Sequence, residues 1–185
     1  MRIAAVLLAA GRSTRFGSED KLMALLDGIP LGLHAARTLG GLPLAARLAV
    51  TGAIERSWPG FEIVRNDQPE RGIGRSIALG VAAARRLGAE GVLIALADMP
   101  LVSADHFTRV LARGQGPESI AASSNGVNRM PPALFGAAWF DRLERLSGDT
   151  GARLLLDQAE IVECVSAELI DIDCPADLAA SFGRE

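Results

Sequence analysis

Between Leu8 and Lys21 the chain leaves a run of small apolar residues and enters Gly11-Arg12-Ser13-Thr14-Arg15-Phe16-Gly17-Ser18-Glu19-Asp20 before reaching the lysine. That composition suits a polyphosphate. Glycine lets several backbone N–H groups converge on one anion, while Arg12, Arg15 and Lys21 place full positive charges around the same point. An arginine grips phosphate oxygens through two parallel bonds, and a lysine acts as a point charge. Spacing removes two common readings. A P-loop counted from Gly11 needs Gly-Lys where Phe16 and Gly17 stand, and a dinucleotide fingerprint needs glycines where Ser13 and Phe16 stand. A tight turn with solvated cations is the plain alternative for the loop taken alone.

A carboxylate of matching chemistry sits far along the chain. Asp98 closes a run, Gly91 to Ala97, too apolar to carry a casual charge. At a strand end facing a triphosphate it is a hard oxygen ligand suited to Mg²⁺. The alternative is a cap for the helix that begins near Ser103. Gly72-Ile73-Gly74-Arg75-Ser76 only half-matches a dinucleotide motif and reads equally as a helix start with Ser76 in its first turn. His34 and His106 lie on helical segments with no paired Cys, Asp or His, so they are read as surface or partly buried side chains rather than ligands. No Ser-His-Asp or Cys-His constellation can be assembled. Cys164 and Cys174 are too few for a disulfide scaffold and wrongly spaced for a metal knuckle, and are read as reduced structural thiols.

The elements that must position these groups follow from hydrophobic period. Short apolar runs at Ile3 to Ala9, Ala45 to Val50, Phe61 to Val64, Gly91 to Ala97, Ile120 to Ala122 and Leu169 to Ile172 predict buried strands. Apolar residues at three- and four-residue intervals predict helices over Leu31 to Leu39, Ile73 to Leu87 and Ala104 to Ala112. Alternation of the two predicts an α/β fold with a mostly parallel twisted sheet flanked by helices. Its strand ends run into Gly11, into Asp98 and Pro100, and into Asp171, Asp173 and Pro175, the edge where open α/β sheets bind ligands. Residues Ser123 to Pro132 read as a loop or β excursion.

The 185 residues, 49% of them hydrophobic, suffice for one compact domain spanning 1–185. With 19 Lys and Arg against 22 Asp and Glu, no global basic field draws the protein to nucleic acid or acidic membranes. The first apolar run is too short to span a bilayer and leads into a glycine-rich loop rather than a cleavage site, so a cytoplasmic location is expected.

On these residues the chain resembles the MobA-like nucleotidyltransferases. Their first strand enters a segment of the form LAAGxSxRMG followed by Lys, matched here by Leu8, Ala9, Ala10, Gly11, Ser13, Arg15, Gly17 and Lys21, with Phe16 for Met. Asn66, Gly72, Ser76 and Gly80 resemble the family's nucleotide-pocket segment, and Ala97-Asp98-Met99-Pro100 resembles its Gly-Asp-Met-Pro. Ser147-Gly148-Asp149 with Gly151 and Arg153 resembles a segment opening a late helix, where capping by Asp149 accounts for most of it. Asp171-Ile172-Asp173-Cys174-Pro175 resembles the ending DIDTP, with Asp173 either a second metal contact or a helix cap before Pro175. One departure is Met130 in Arg129-Met130-Pro131-Pro132, where the family carries Gly.

The resemblance implies a nucleotide-diphospho-sugar transferase-like Rossmann variant and a transfer that needs no general base. It places Arg15 on the β- and γ-phosphates, Lys21 on the α-phosphate, and Asp98 with Asp173 on Mg²⁺; Leu8, Ala9, Ala10, Gly11, Arg12, Ser13, Asn66, Gly72 and Ser76 join Lys21 and Asp98 in the nucleotide pocket. The LAAG form resembles the cytidylyltransferases of molybdenum cofactor, implying CTP rather than GTP, molybdopterin as acceptor, and an apo-molybdoenzyme as a further partner. Alternatives are transfer to another phosphorylated alcohol such as methylerythritol phosphate, and a non-catalytic molybdopterin carrier.

Overall fold

The computed structural model describes residues 1–11, 16, 20–54, 56–149, 151–164 and 167–181. Its centre is β1 (Ile3–Ala9), whose small apolar residues pair in parallel with β4 (Ala46–Thr51) on one side and β6 (Gly91–Leu96) on the other. The chain first builds outward from β1 to β4 and then β5 (Glu62–Arg65), and only afterwards crosses back to lay β6 on the opposite side of β1. That reversal opens a crevice at the C-terminal ends of β1 and β6, where neighbouring connections leave in opposite directions.

Helices α1 (Leu31–Gly40) and α3 (Ala104–Leu111) cover one face of the sheet, and α2 (Ile73–Arg86) and α4 (Phe140–Glu144) the other. Strand period two divides β1 between these layers: Ala5, Leu7 and Ala9 join the first core, Ala4, Val6 and Leu8 the second. Leu7 is wholly buried, and cutting it back to Ala would cost about 3 kcal/mol. α2 sits close because Gly80 has no side chain: a Cβ there would stand 2.3 Å from a Val6 methyl.

Beyond β6 the structure departs from a simple alternation. β8 (Arg129–Gly136) runs antiparallel between β6 and β7 (Ile120–Ser124), and β9 (Glu160–Glu163) pairs parallel to β7 at the sheet's edge. A two-strand ribbon of β2 (Leu25–Leu26) and β3 (Ile29–Pro30) precedes α1. Leu169–Ile172, read from sequence as a strand, is irregular instead. It crosses the open end of β6, with Ile172 N–H bonded to Asp98 O at 2.9 Å, and leads into α5 (Pro175–Ser181). Leu169, Ile170 and Ile172 satisfy the apolar pattern of a strand, yet Ile172 donates to a loop carbonyl rather than into a ladder. Among the described residues no helix is long and apolar enough to cross a membrane.

Candidate functional site

Two carboxylates and one ammonium meet in the crevice. Lys21 Nζ lies 2.6 Å from Asp98 Oδ2 and 3.1 Å from Asp173 Oδ1, joining residues from the start, middle and end of the chain. The lysine side chain is only 10% exposed. Burial alone would pull its pKa down, but the charges and hydrogen bonds of Asp98 and Asp173 outweigh that and hold it above the usual lysine range. Both alternative capping roles are taken by other side chains. Ser103 caps α3 by accepting from His106 N–H, and Asp177 Oδ2 accepts from Asp173 and Cys174 N–H at the start of α5, while Asp98 and Asp173 both pair with the lysine.

The Lys21 turn is braced from beneath. Asp20 accepts from Leu22 N–H and pairs with Arg56, whose side chain is 6% exposed and also donates to Ala9 O at 3.2 Å. The exit of the glycine-rich loop is thereby tied to the end of β1. Arg56 escaped sequence reading because it lies in a loop with no motif around it.

Around this centre the crevice divides into two adjoining hollows that share Leu8, Ile73, Leu96 and Asp149. The first, about 390 Å³, is lined by Ala10, Gly11, Gly72, Ser76 and Asp98 together with those shared residues. Gly11 has no left-handed φ, and among the described residues a Cβ there would meet nothing within 4 Å, so the residue lines the hollow without steric demand. Gly72 is different: its φ is +84°, and a Cβ would stand 2.4 Å from Gly148 C. Gly74 is pressed by Ser147 in the same way. The Ser147-Gly148-Asp149 loop therefore packs onto the first turn of α2, with Gly74 N–H bonded to Gly148 O at 3.0 Å.

Asn66 and Ala9 stand behind the hollow, not in its wall. Asn66 Nδ2 donates to Ser76 Oγ at 2.9 Å and its Oδ1 accepts from Gln68 N–H, so it shapes the turn that presents Ser76. Ala9 points into the α1 layer by strand alternation. Asp149 lines both hollows, whereas the helical turn that follows it, Arg153–Gln158, has Ala152 at its N-cap with no side-chain bond. Arg12, Ser13 and Arg15 lie outside the described residues.

The second hollow, about 450 Å³, has an apolar floor of Leu8, Ile77, Ile94, Leu96, Ala133 and Phe135. Met130 and Pro131 form one wall, and Arg129, Arg153 and Asp171 bring charge to its margin. Asp171 is open to solvent on one side, yet protein atoms around it strip enough water that burial, followed by the charges of Asp98 and Asp173, pushes its pKa up to about 6 against the pull of Lys21. The sequence places Asp171 at the head of the segment resembling DIDTP, and no role is expected of it there.

The donor set fits a divalent cation. Asp98 and Asp173 already turn their oxygens toward one positive charge, and Mg²⁺ characteristically takes one or two carboxylates with phosphate oxygens and water completing its shell. Among the described residues no group of three or more His, Cys, Asp or Glu side chains is arranged to hold a metal without such help.

Residues 5–163 match the family described as the MobA-like NTP transferase domain. The purine catabolism protein PucB of Bacillus subtilis is 34% identical, with 92% of this chain and 91% of that one covered. A molybdenum cofactor guanylyltransferase of Acidiphilium cryptum is 32% identical over 97% of this chain and 94% of its own. The crystal structure of Rv0371c from Mycobacterium tuberculosis superposes with a TM-score of 0.85 at 23% identity, covering 100% of this chain and 98% of that one; the same protein is also known as a complex with manganese.

Proposed function

The chain belongs to the MobA-like NTP transferase family, and from that premise we propose that residues 1–185 act as one domain transferring CMP from CTP to molybdopterin cofactor, with release of pyrophosphate. The observation that carries the reading is the meeting of Lys21, Asp98 and Asp173 beside the polar hollow, which Asp98 lines and which adjoins the apolar one. The polar hollow takes the nucleotide. The apolar one takes the ring system of the acceptor, with Arg129 and Arg153 available to its anionic groups.

A phosphate monoester acceptor is already largely an anion at neutral pH, since its second pKa lies near about 6. No base is needed to activate it. The barrier is repulsion between that anion and the triphosphate, together with in-line alignment at the α-phosphorus. One acceptor oxygen bonds to the α-phosphorus as the bond to the bridging α,β-oxygen breaks, and pyrophosphate carries the electron pair away. Asp98 and Asp173 would hold Mg²⁺, which supplies positive charge to the triphosphate oxygens. Lys21 offsets charge developing at the α-phosphate, and Arg15 is assigned to the β- and γ-phosphates. Gly11, Gly72 and Ser76 shape the nucleotide wall, Asn66 fixes Ser76, and Arg12 and Ser13 are assigned to the same grip.

The LAAG sequence at Leu8 to Gly11 supports CTP. GTP is the second reading, favoured by the guanylyltransferase relative. Incubation with CTP, GTP, ATP or UTP plus Mg²⁺ and reduced molybdenum cofactor, followed by pyrophosphate measurement, tests both. Turnover with CTP is expected. Turnover with GTP alone would replace the base assignment, and pterin binding without turnover on any nucleotide would make the protein a carrier.

A further inference from the structure

β8 reaches the apolar hollow through an interruption. Ala122 pairs with Ala133, but the next residue, Ser123, pairs with Met130, so Pro131 and Pro132 are bulged out of the ladder. Neither proline has an N–H to give, and a carbonyl in such a bulge loses its regular cross-strand donor. Pro132 O is supplied instead by Ser123, whose hydroxyl donates to it at 2.8 Å. Ser123 is wholly buried.

The hydroxyl is itself oriented. His106 Nε2 lies 2.7 Å from Ser123 Oγ, and Arg109 Nη2 lies 3.1 Å from His106 Nδ1. Because Ser123 spends its one proton on Pro132, its oxygen accepts from His106; the imidazole proton is therefore on Nε2, and Nδ1 accepts from Arg109. His106 has no exposed surface. It belongs to α3, on the face of the sheet opposite the hollow.

We propose that the chain of bonds from Arg109 through His106 and Ser123 to Pro132 is a positioning device for the acceptor, fixing the bulge that carries Met130 and Pro131 into the hollow. His106, Ser123 and Arg109 touch neither substrate. They act through the wall, so they set acceptor affinity and leave the nucleotide side alone. The inference rests on the reading of the apolar hollow as the acceptor site. The neutral imidazole it requires is the form the surroundings favour: burial, then the Arg109 charge, lower the His106 pKa, against weaker opposite pulls from Glu168 and Asp105.

The chain has four methionines, so methyl-¹³C methionine NMR reports directly on Met130, with exposed Met23 as an internal control. Ser123→Ala and His106→Leu should each displace the Met130 signal, leave that of Met23, raise the acceptor KM about tenfold and leave the nucleotide KM within about twofold. Ser123→Thr keeps the hydroxyl and should restore both readouts. An unmoved Met130 signal, or acceptor and nucleotide KM rising together, overturns the proposal. Should His106→Leu fail to fold, Ser123→Ala carries the test, since it removes a single oxygen. Met130→Ala separates the layers of argument: an unchanged acceptor KM in that variant refutes the acceptor site itself, whereas a changed one with silent Ser123→Ala refutes only the relay.

Discussion

The two hollows adjoin along four shared residues but are built in opposite ways. The polar hollow, assigned above to the nucleotide, is made of strand ends and turns held by charge and by glycine: the Lys21 pairs, the Asp20–Arg56 brace, and the tight seat of Gly72 and Gly74 under the 147–149 loop. The apolar hollow, assigned above to the acceptor, is floored by strand and helix side chains from β1, β6, β8 and α2, with charge at its rim. A few ionic contacts define the first, so single changes there should be read in turnover. Many weak apolar contacts define the second, so changes there should be read in acceptor affinity.

Asp98→Ala is the hardest test of this contrast. It removes the proposed metal carboxylate and the 2.6 Å partner of Lys21 together, and turnover should fall about 10³-fold with Mn²⁺ binding weakened in parallel. An unchanged Mn²⁺ titration, followed by electron paramagnetic resonance, would strip Asp98 of its assigned role. Lys21→Met comes next, with turnover down about 10²-fold. Here the metal readout should move the other way: without the ammonium, Asp98 and Asp173 lose the charge that competes for their oxygens, and Mn²⁺ alone should bind more tightly. Weaker Mn²⁺ binding would mean the lysine organises the carboxylates rather than competing with a cation.

What the sequence reveals follows the same division. Leu8, Ala10, Gly11, Gly72, Ser76 and Asp98 are legible because they cluster at strand ends and helix starts where periodicity breaks, and the structure gathers them round one hollow. Asn66 and Ala9 are legible as positions but not as orientations, since alternation along β1 turns Ala9 away. The rest depends on contacts remote in sequence. Arg56 acts through Asp20, 36 residues away, and His106 through Ser123, 17 away, and neither carries a local spacing signal. Likewise β1, β4, β5, β6 and β7 announce themselves by apolar runs, but β8 does not, because Pro131 and Pro132 disguise its entry and its antiparallel direction is decided by β6 and β7. Leu169–Ile172 errs in the opposite sense: apolar enough for a strand, it joins no ladder and meets the loop after β6 through Ile172 N–H and Asp98 O.

Met130→Ala should raise the acceptor KM about tenfold, the loss of one partly buried thioether contact, while leaving the nucleotide KM and turnover nearly unchanged. A drop in turnover at constant KM would erase the distinction between the hollows, since Met130 would then be felt at the reacting phosphorus.

The smallest effect is expected where the two hollows touch. Asp171 lines the apolar hollow, where burial and then the charges of Asp98 and Asp173 push its pKa up to about 6, above the ordinary carboxylate value. The folded protein thus binds a proton at Asp171 more readily than the unfolded chain between those two values, and stability rises as pH falls through that window. Above about pH 6 the ionised group is a net cost to the fold, and below the ordinary value the cost is gone. In metal-free buffer, Asp171→Asn should therefore melt about 2–3 °C higher than the native protein at pH 8, a modest shift because solvent screens one side of the group. The advantage should shrink through pH 6 and vanish near pH 4. His106, with its lowered pKa, tilts stability the other way as pH falls, but it is common to both proteins and cancels in the difference. A melting difference that stayed constant with pH would mean that Asp171 keeps an ordinary carboxylate pKa, raised neither by burial nor by Asp98 and Asp173.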